Sequence, residues 1–182
     1  MINNQVPEIE GVRIIQYKSA SDDRGSFIKF HPLMELENSL DSVALSFNPN
    51  LGTIRGLHFQ AEPFAEEKLV ACVQGSIFEV IVDLRRNSLT FGKWASFELS
   101  AINTLQVYLP KGVAHGFQTL KPDSIVHYSL SSAYAAEFSY AINPFGDVGI
   151  QWPIKAHSVS DRDASGISLE LAAQKYAESL QN

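Results

Sequence analysis

Ten short apolar runs follow one another between residues 12 and 130: VRIIQY, SFIKFH, SVALSF, TIRGLHFQ, KLVACVQ, SIFEVIVDL, KWASFEL, TLQVYLP, GFQTL and IVHYSLS. Between them stand clusters rich in Gly, Pro, Asn, Asp and Ser, such as DDRG, NPNLG, RRNSLTFG, PKG and KPDS. Runs this short, punctuated this often, read as strands rather than helices. KWASFEL alternates Trp94, Ser96 and Glu98 against Ala95, Phe97 and Leu99, as a half-buried strand does. IFEVIVDL is almost continuously apolar, which predicts a strand covered on both faces. The pattern predicts an all-β fold of two antiparallel sheets, a jelly roll or barrel, with ligand-sized space between them. A short helix is expected in HPLMELENSL. A C-terminal helix is expected at about 167–181, with Ile167, Leu171 and Leu180 as its apolar residues. No repeat or linker divides the chain, so one domain over 1–182 is expected, with its core at about 10–163.

Composition narrows the function. With 45% hydrophobic and 19% charged residues the chain is ordinary globular protein. Its net charge of −6 argues against broad nucleic-acid binding, which needs a basic face, but leaves room for a small anion held by a few arginines. The single Cys72, inside KLVACVQG, has no disulfide partner in the chain and reads as a buried, inert thiol. MINNQVPEIEG has neither a basic start nor an apolar run, and no segment is apolar for long enough to span a membrane. A cytoplasmic protein with no membrane partner is the expectation.

Few polar residues interrupt the strands: chiefly Arg55, His58, Lys68, His115, His127 and Tyr128. Arg55 and His58 are three apart, so strict alternation places them on opposite faces. Gly56 lies between them and offers a site for a bulge that would turn both inward. A neutral histidine whose tautomer is fixed by an aspartate is a good base near pH 7, a lysine holds developing negative charge, and a tyrosine supplies a proton. Together they fit proton abstraction beside a carbonyl.

LPKGVAHGF contains Pro110, Gly112 and His115 as P-x-G-x-x-H, which resembles the second motif of the cupin superfamily. Metal-binding cupins pair that histidine with an H-x-H. None occurs here, so a metal-independent protein without a cofactor is expected. The larger set DDRGSF, GTIRGLHFQ, KLVACVQGSIFEVIVDLRRNSLTFGKW, LPKGVAHGF, VHYSLSSAY, GIQWP and SDRD runs in order over about residues 10–163. In it the chain resembles the dTDP-4-dehydrorhamnose 3,5-epimerases, a family of cupin-type jelly rolls (double-stranded β-helices).

The resemblance implies epimerisation of a nucleotide-diphospho-4-keto-6-deoxyhexose through an enolate. It implies His58 as the base, Asp163 as the residue orienting it, Lys68 at the C4 oxygen and Tyr128 as the acid on the other face. Arg24, Arg55, His115, Tyr134 and Gln60 would contact substrate, Arg24 and Arg55 near its diphosphate. SVSDRD also offers Asp161, and the stretch reads as a helix-capping turn. His127 is assigned to structure. The resemblance further implies a homodimer formed by strand exchange between sheets. The chain departs from the family at Lys29, in LSFNPN and after SSAY, stretches that shape the pocket, so a 3-only or 5-only epimerase is an alternative. So are a 3,4-ketoisomerase, a sugar-nucleotide-binding cupin without turnover, and a metal-dependent oxygenase.

Overall fold

A computed structural model describes residues 9–30 and 35–181. Among the described residues there are twelve strands: β1 (Arg13–Gln16), β2 (Ser19–Asp22), β3 (Gly25–Ile28), β4 (Ser42–Asn48), β5 (Ile54–Gln60), β6 (Lys68–Gln74), β7 (Ser76–Asp83), β8 (Trp94–Ser100), β9 (Leu105–Leu109), β10 (Val113–Thr119), β11 (Ser124–Leu130) and β12 (Ser139–Ala141). Two helices follow, α1 (Asp161–Ala164) and α2 (Leu169–Ser179). Of HPLMELENSL, where a helix is expected, residues 31–34 lie outside the described residues, and among 35–40 only Glu35 is helical.

The strand order is β1-β9-β6-β11-β4 in one sheet and β12-β5-β10-β7-β8 in the other, with β2-β3 as a separate hairpin. The pairs β4·β11, β5·β10, β6·β9 and β7·β8 are nested, so the chain is one antiparallel ribbon rolled until its successive pairs alternate between sheets. This is the jelly roll expected from the spacing of the apolar runs.

Alternation then decides which side chain faces which layer. From β7, Ile77 and Ile81 enter the space between the sheets, together with Val70, Phe97, Leu99, Val107, Leu109, Phe117 and Val126. Its other face, Phe78, Val80 and Val82, packs outward against Leu57, Ile142, Ala172 and Tyr176. Every residue of β7 is buried, which is why the strand reads as a continuous apolar run. α2 supplies much of that outer cover, capped by Ser168, whose Oγ accepts from the Leu171 N–H. The helix buries Ala172, Ala173 and Tyr176, while Leu171 and the C-cap Leu180 stay exposed. Close approach to the sheet favours the alanines. Cys72 is buried and forms no disulfide; burial pushes its thiol up to about 11. Two short polar strands, β2 and β12, had no apolar run to announce them.

Candidate active site

One end of the space between the sheets is polar. There a cavity of about 270 Å³ is lined by Arg55, His58, Glu66, Lys68, His115, Tyr128 and Tyr134, closed below by Phe117 and at the side by Ala44 and Leu130. Five strands of the roll contribute: β4, β5, β6, β10 and β11.

β5 reaches the cavity twice because it bulges. Facing β10, His58 pairs with His115 and Arg55 with Phe117, so Gly56 and Leu57 together oppose the single residue Gly116. The extra residue restores Arg55 and His58 to the same side and sends Leu57 outward into the second core layer. Gly56 has φ +101°, and a Cβ there would stand 2.7 Å from both the Gly116 Cα and the His115 carbonyl oxygen. Only glycine fits. The Gly56–Leu57 peptide is cis.

The chain returns to β5 near its C-terminus. Leu57 and Ile142 exchange backbone hydrogen bonds, and Ile54 N–H donates to Ser158 O. This return lays α1 beside the bulge. Ser160 caps α1 by accepting from the Asp163 N–H, which places the buried Asp163 carboxylate between β5 and the helix. Oδ1 lies 2.6 Å from His58 Nε2, and Oδ2 accepts from the Gly56 N–H at 3.1 Å. Burial would raise the Asp163 carboxyl, but the bonds from His58 and Gly56 outweigh it and hold it below its ordinary value. Asp161, the alternative in the sequence, is exposed on the same short helix. With Nε2 engaged, His58 has Nδ1 left for the cavity.

Across the cavity Lys68 is almost wholly buried and sits 3.2 Å from Glu66 Oε1. Tyr128, two residues from Leu130 on β11, stands with its ring edge-on to His115, centroids 5.9 Å apart. Burial raises its phenol well above the ordinary value, with Glu79 adding to the rise, so it stays a proton donor at neutral pH. Arg55 Nε donates to Asn48 Oδ1 at 2.7 Å, and Asn48 is itself buried and bound to Ser46 O and Ser124 O. The guanidinium is thus anchored from behind and presented at the mouth.

Two residues expected to touch substrate lie elsewhere. Arg24 is on the exposed β2–β3 turn, its guanidinium turned back on the Asp22 carboxylate at 2.6 Å. Gln60 is buried with its amide fully used: it donates to Phe64 O and Ala133 O and accepts from Ala135 N–H. Those bonds bracket Tyr134, so Gln60 sets the loop that carries a cavity residue and does not itself line the cavity. His127 faces outward, stacked on Phe30 at 5.7 Å.

Glu66 and Glu79 are the site residues not singled out in the sequence. Glu66 stands two positions before Lys68, which in extended chain is the same face. Glu79 is an acid inside an otherwise apolar strand; its Oε1 lies 2.7 Å from His115 Nδ1. Both signals were legible. Among the described residues no three His, Cys, Asp or Glu side chains are grouped to hold a metal ion, and no helix is long and apolar enough to cross a membrane.

A half-buried base with its buried carboxylate, a cation opposite, a phenol and an arginine at the mouth make a site for moving a proton on carbon beside a carbonyl. Comparison with known proteins points the same way. The family described as dTDP-4-dehydrorhamnose 3,5-epimerase matches residues 7–170. A dTDP-4-dehydrorhamnose 3,5-epimerase of Sinorhizobium fredii is 40% identical over 169 residues, 88% of this chain and 86% of that one. The crystal structure of the Bacillus anthracis enzyme of that name, with TDP and PPi bound, superposes with TM-score 0.84 at 35% identity, covering 89% of this chain and 96% of that one. The Legionella pneumophila enzyme, in complex with dTDP-4-keto-L-rhamnose, superposes with TM-score 0.84 at 32% identity over 91% of each chain. By the reach of these matches over sequence and structure alike, the chain belongs to the dTDP-4-dehydrorhamnose 3,5-epimerase family, isomerases built on a cupin-type jelly roll.

Proposed function

We propose that this protein epimerises a nucleotide-diphospho-4-keto-6-deoxyhexose, with dTDP-4-keto-6-deoxyglucose as the substrate to test first, and that it does so without a metal or cofactor. The observation that carries the reading is the His58–Asp163 pair facing Lys68 and Tyr128 across one cavity. A ketone at C4 acidifies the hydrogens on C3 and C5. His58, held by Asp163, takes such a proton through Nδ1, and Lys68 holds the charge that develops on the ketone oxygen. Tyr128 returns a proton to the opposite face, and the centre is inverted. At about 270 Å³ the cavity is near the small end of ligand sites and suits one sugar ring, which leaves the nucleotide and diphosphate at the mouth with Arg55 and Tyr134.

The test is incubation with dTDP-4-keto-6-deoxyglucose in D₂O, followed by NMR. Deuterium at C3 and C5 is the expected result, and label at one carbon marks a monofunctional enzyme. No label at either carbon refutes the substrate. His58→Ala and Lys68→Ala should each cut turnover about 10²–10⁴-fold with the fold intact.

The same reading includes a homodimer in the cytoplasm. The first sheet ends in the edge strand β4, whose outer face exposes Val43, Leu45 and Phe47, with Val73 of β6 also exposed. An apolar face on an open edge favours a partner strand or sheet. The lone unpaired thiol suits a reducing compartment.

A further inference from the structure

Beneath the cavity floor lies a carboxyl group that the reaction as described does not use. Glu79 is wholly buried between the sheets. Its Oε1 meets His115 Nδ1 at 2.7 Å, and its Oε2 has no hydrogen-bond partner among the described residues. The titratable groups around this pair are Lys68 and Cys72 from β6, His58 from β5 and Tyr128 from β11. The nearest cation, Lys68, is already paired with Glu66.

We infer that Glu79 is a neutral carboxylic acid that donates its proton to His115 Nδ1, and so fixes His115 as an Nε2–H donor facing the cavity beside Lys68. The geometry favours this over a carboxylate. A fully buried carboxylate with one hydrogen bond leaves a charged oxygen bare, which is far costlier than the bare carbonyl oxygen of an acid. If the acid's O–H points to Nδ1, the neutral imidazole carries its own proton on Nε2. The Nε2 atom has no partner among the described residues, and His115 lines the cavity. Burial holds the Glu79 carboxyl well above the carboxylate range, against the pull of Lys68. Burial, with the charges of Lys68 and His58, holds His115 well below the ordinary imidazole value. Both directions agree with the neutral pair.

The role given to that donor rests on the epimerase reading: a second hydrogen bond to the oxygen that gains charge, fixed before substrate arrives and independent of the Lys68–Glu66 ion pair. Glu79 is then a positioning residue, acting through His115.

The test separates the pair's chemistry from the reaction. On the substrate-free protein, infrared difference spectra of wild type against Glu79→Gln should show the carbonyl stretch of a protonated carboxylic acid, lost in the variant. ¹⁵N-histidine NMR should show His115 protonated on Nε2 and bare on Nδ1. A carboxylate band, an Nδ1–H tautomer or a doubly protonated His115 overturns the inference. These signals need no substrate, so a failed epimerisation assay bears on the proposed function and leaves them readable. With turnover, Glu79→Gln, whose amide N–H can still donate to Nδ1, should keep kcat within about threefold and the wild-type pH profile. Glu79→Leu, which removes the donor but suits an apolar layer, should lower kcat about 10-fold or more with KM little changed, within the loss expected for an oxyanion donor. Loss of about 10²-fold in Glu79→Gln, or unchanged kcat in a folded Glu79→Leu, would refute the positioning role.

Discussion

Replacing Gly56 by alanine tests whether the β5 bulge is what assembles the site. The new Cβ would sit 2.7 Å from the Gly116 Cα and 2.7 Å from the His115 carbonyl oxygen, and both are backbone atoms that no rotamer change can move. Two costs arise. A side chain at φ +101° carries roughly 1–2 kcal/mol of backbone strain. Overpacking against the neighbouring strand adds about 1–3 kcal/mol. Their sum, roughly 2–5 kcal/mol, is a large share of the 5–15 kcal/mol typical of a domain. Gly92→Ala is the matched control: φ is +71°, but nothing lies within 4 Å of the added carbon, so only the strain applies. Urea denaturation of both variants isolates the contact term as their difference. The protein can escape the clash only by shifting β5 against β10, which returns Arg55 and His58 to opposite faces. Turnover should then fall by the 10²–10⁴-fold that a placed base supplies. A Gly56→Ala protein as stable as Gly92→Ala and with wild-type turnover would refute the role of the bulge.

Three further outcomes are expected. Glu79 is held above its ordinary value of 4.5, so its stabilisation is complete below that pH and is lost as pH rises toward the folded value. The stability of Glu79→Gln relative to wild type should therefore climb by about 1.4 kcal/mol per pH unit above pH 4.5, read by denaturation in a buffer series; parallel curves would contradict the buried acid. Gln60→Leu frees the backbone on both sides of Tyr134 and should raise KM about tenfold while kcat changes little. An unchanged KM would show that the loop holds without it. Phe47→Glu, on the exposed face of β4, should yield a folded monomer by light scattering, and a persistent dimer would place the interface elsewhere.

Much of this molecule is readable one residue at a time. The run lengths and their turn clusters imply a β roll because alternation and turn chemistry act over a few residues, and nearly all the strands lie where the apolar runs are. His58, Lys68, His115 and Tyr128 stand out because a polar side chain in an apolar strand has to be explained, whereas Tyr134, on a loop, is marked only by the family resemblance. Proximity is not readable this way. Asp163 stands 105 residues from His58, and only the return of the chain along β5, with Ser160 capping α1, brings it rather than Asp161 to the imidazole. The bulge at Gly56 depends on what β10 presents opposite it. Gln60 turns from a contact residue into a loop anchor because of backbone groups 73 and 75 residues away. The Glu79–His115 pair exists because the register of β7 against β10 sets Glu79 beside Phe117 and Ile81 beside His115 on the same inner face. Local sequence dictates which face a side chain takes; the pairing of strands distant in sequence dictates what it meets there, and the protonation of a buried group follows from that meeting.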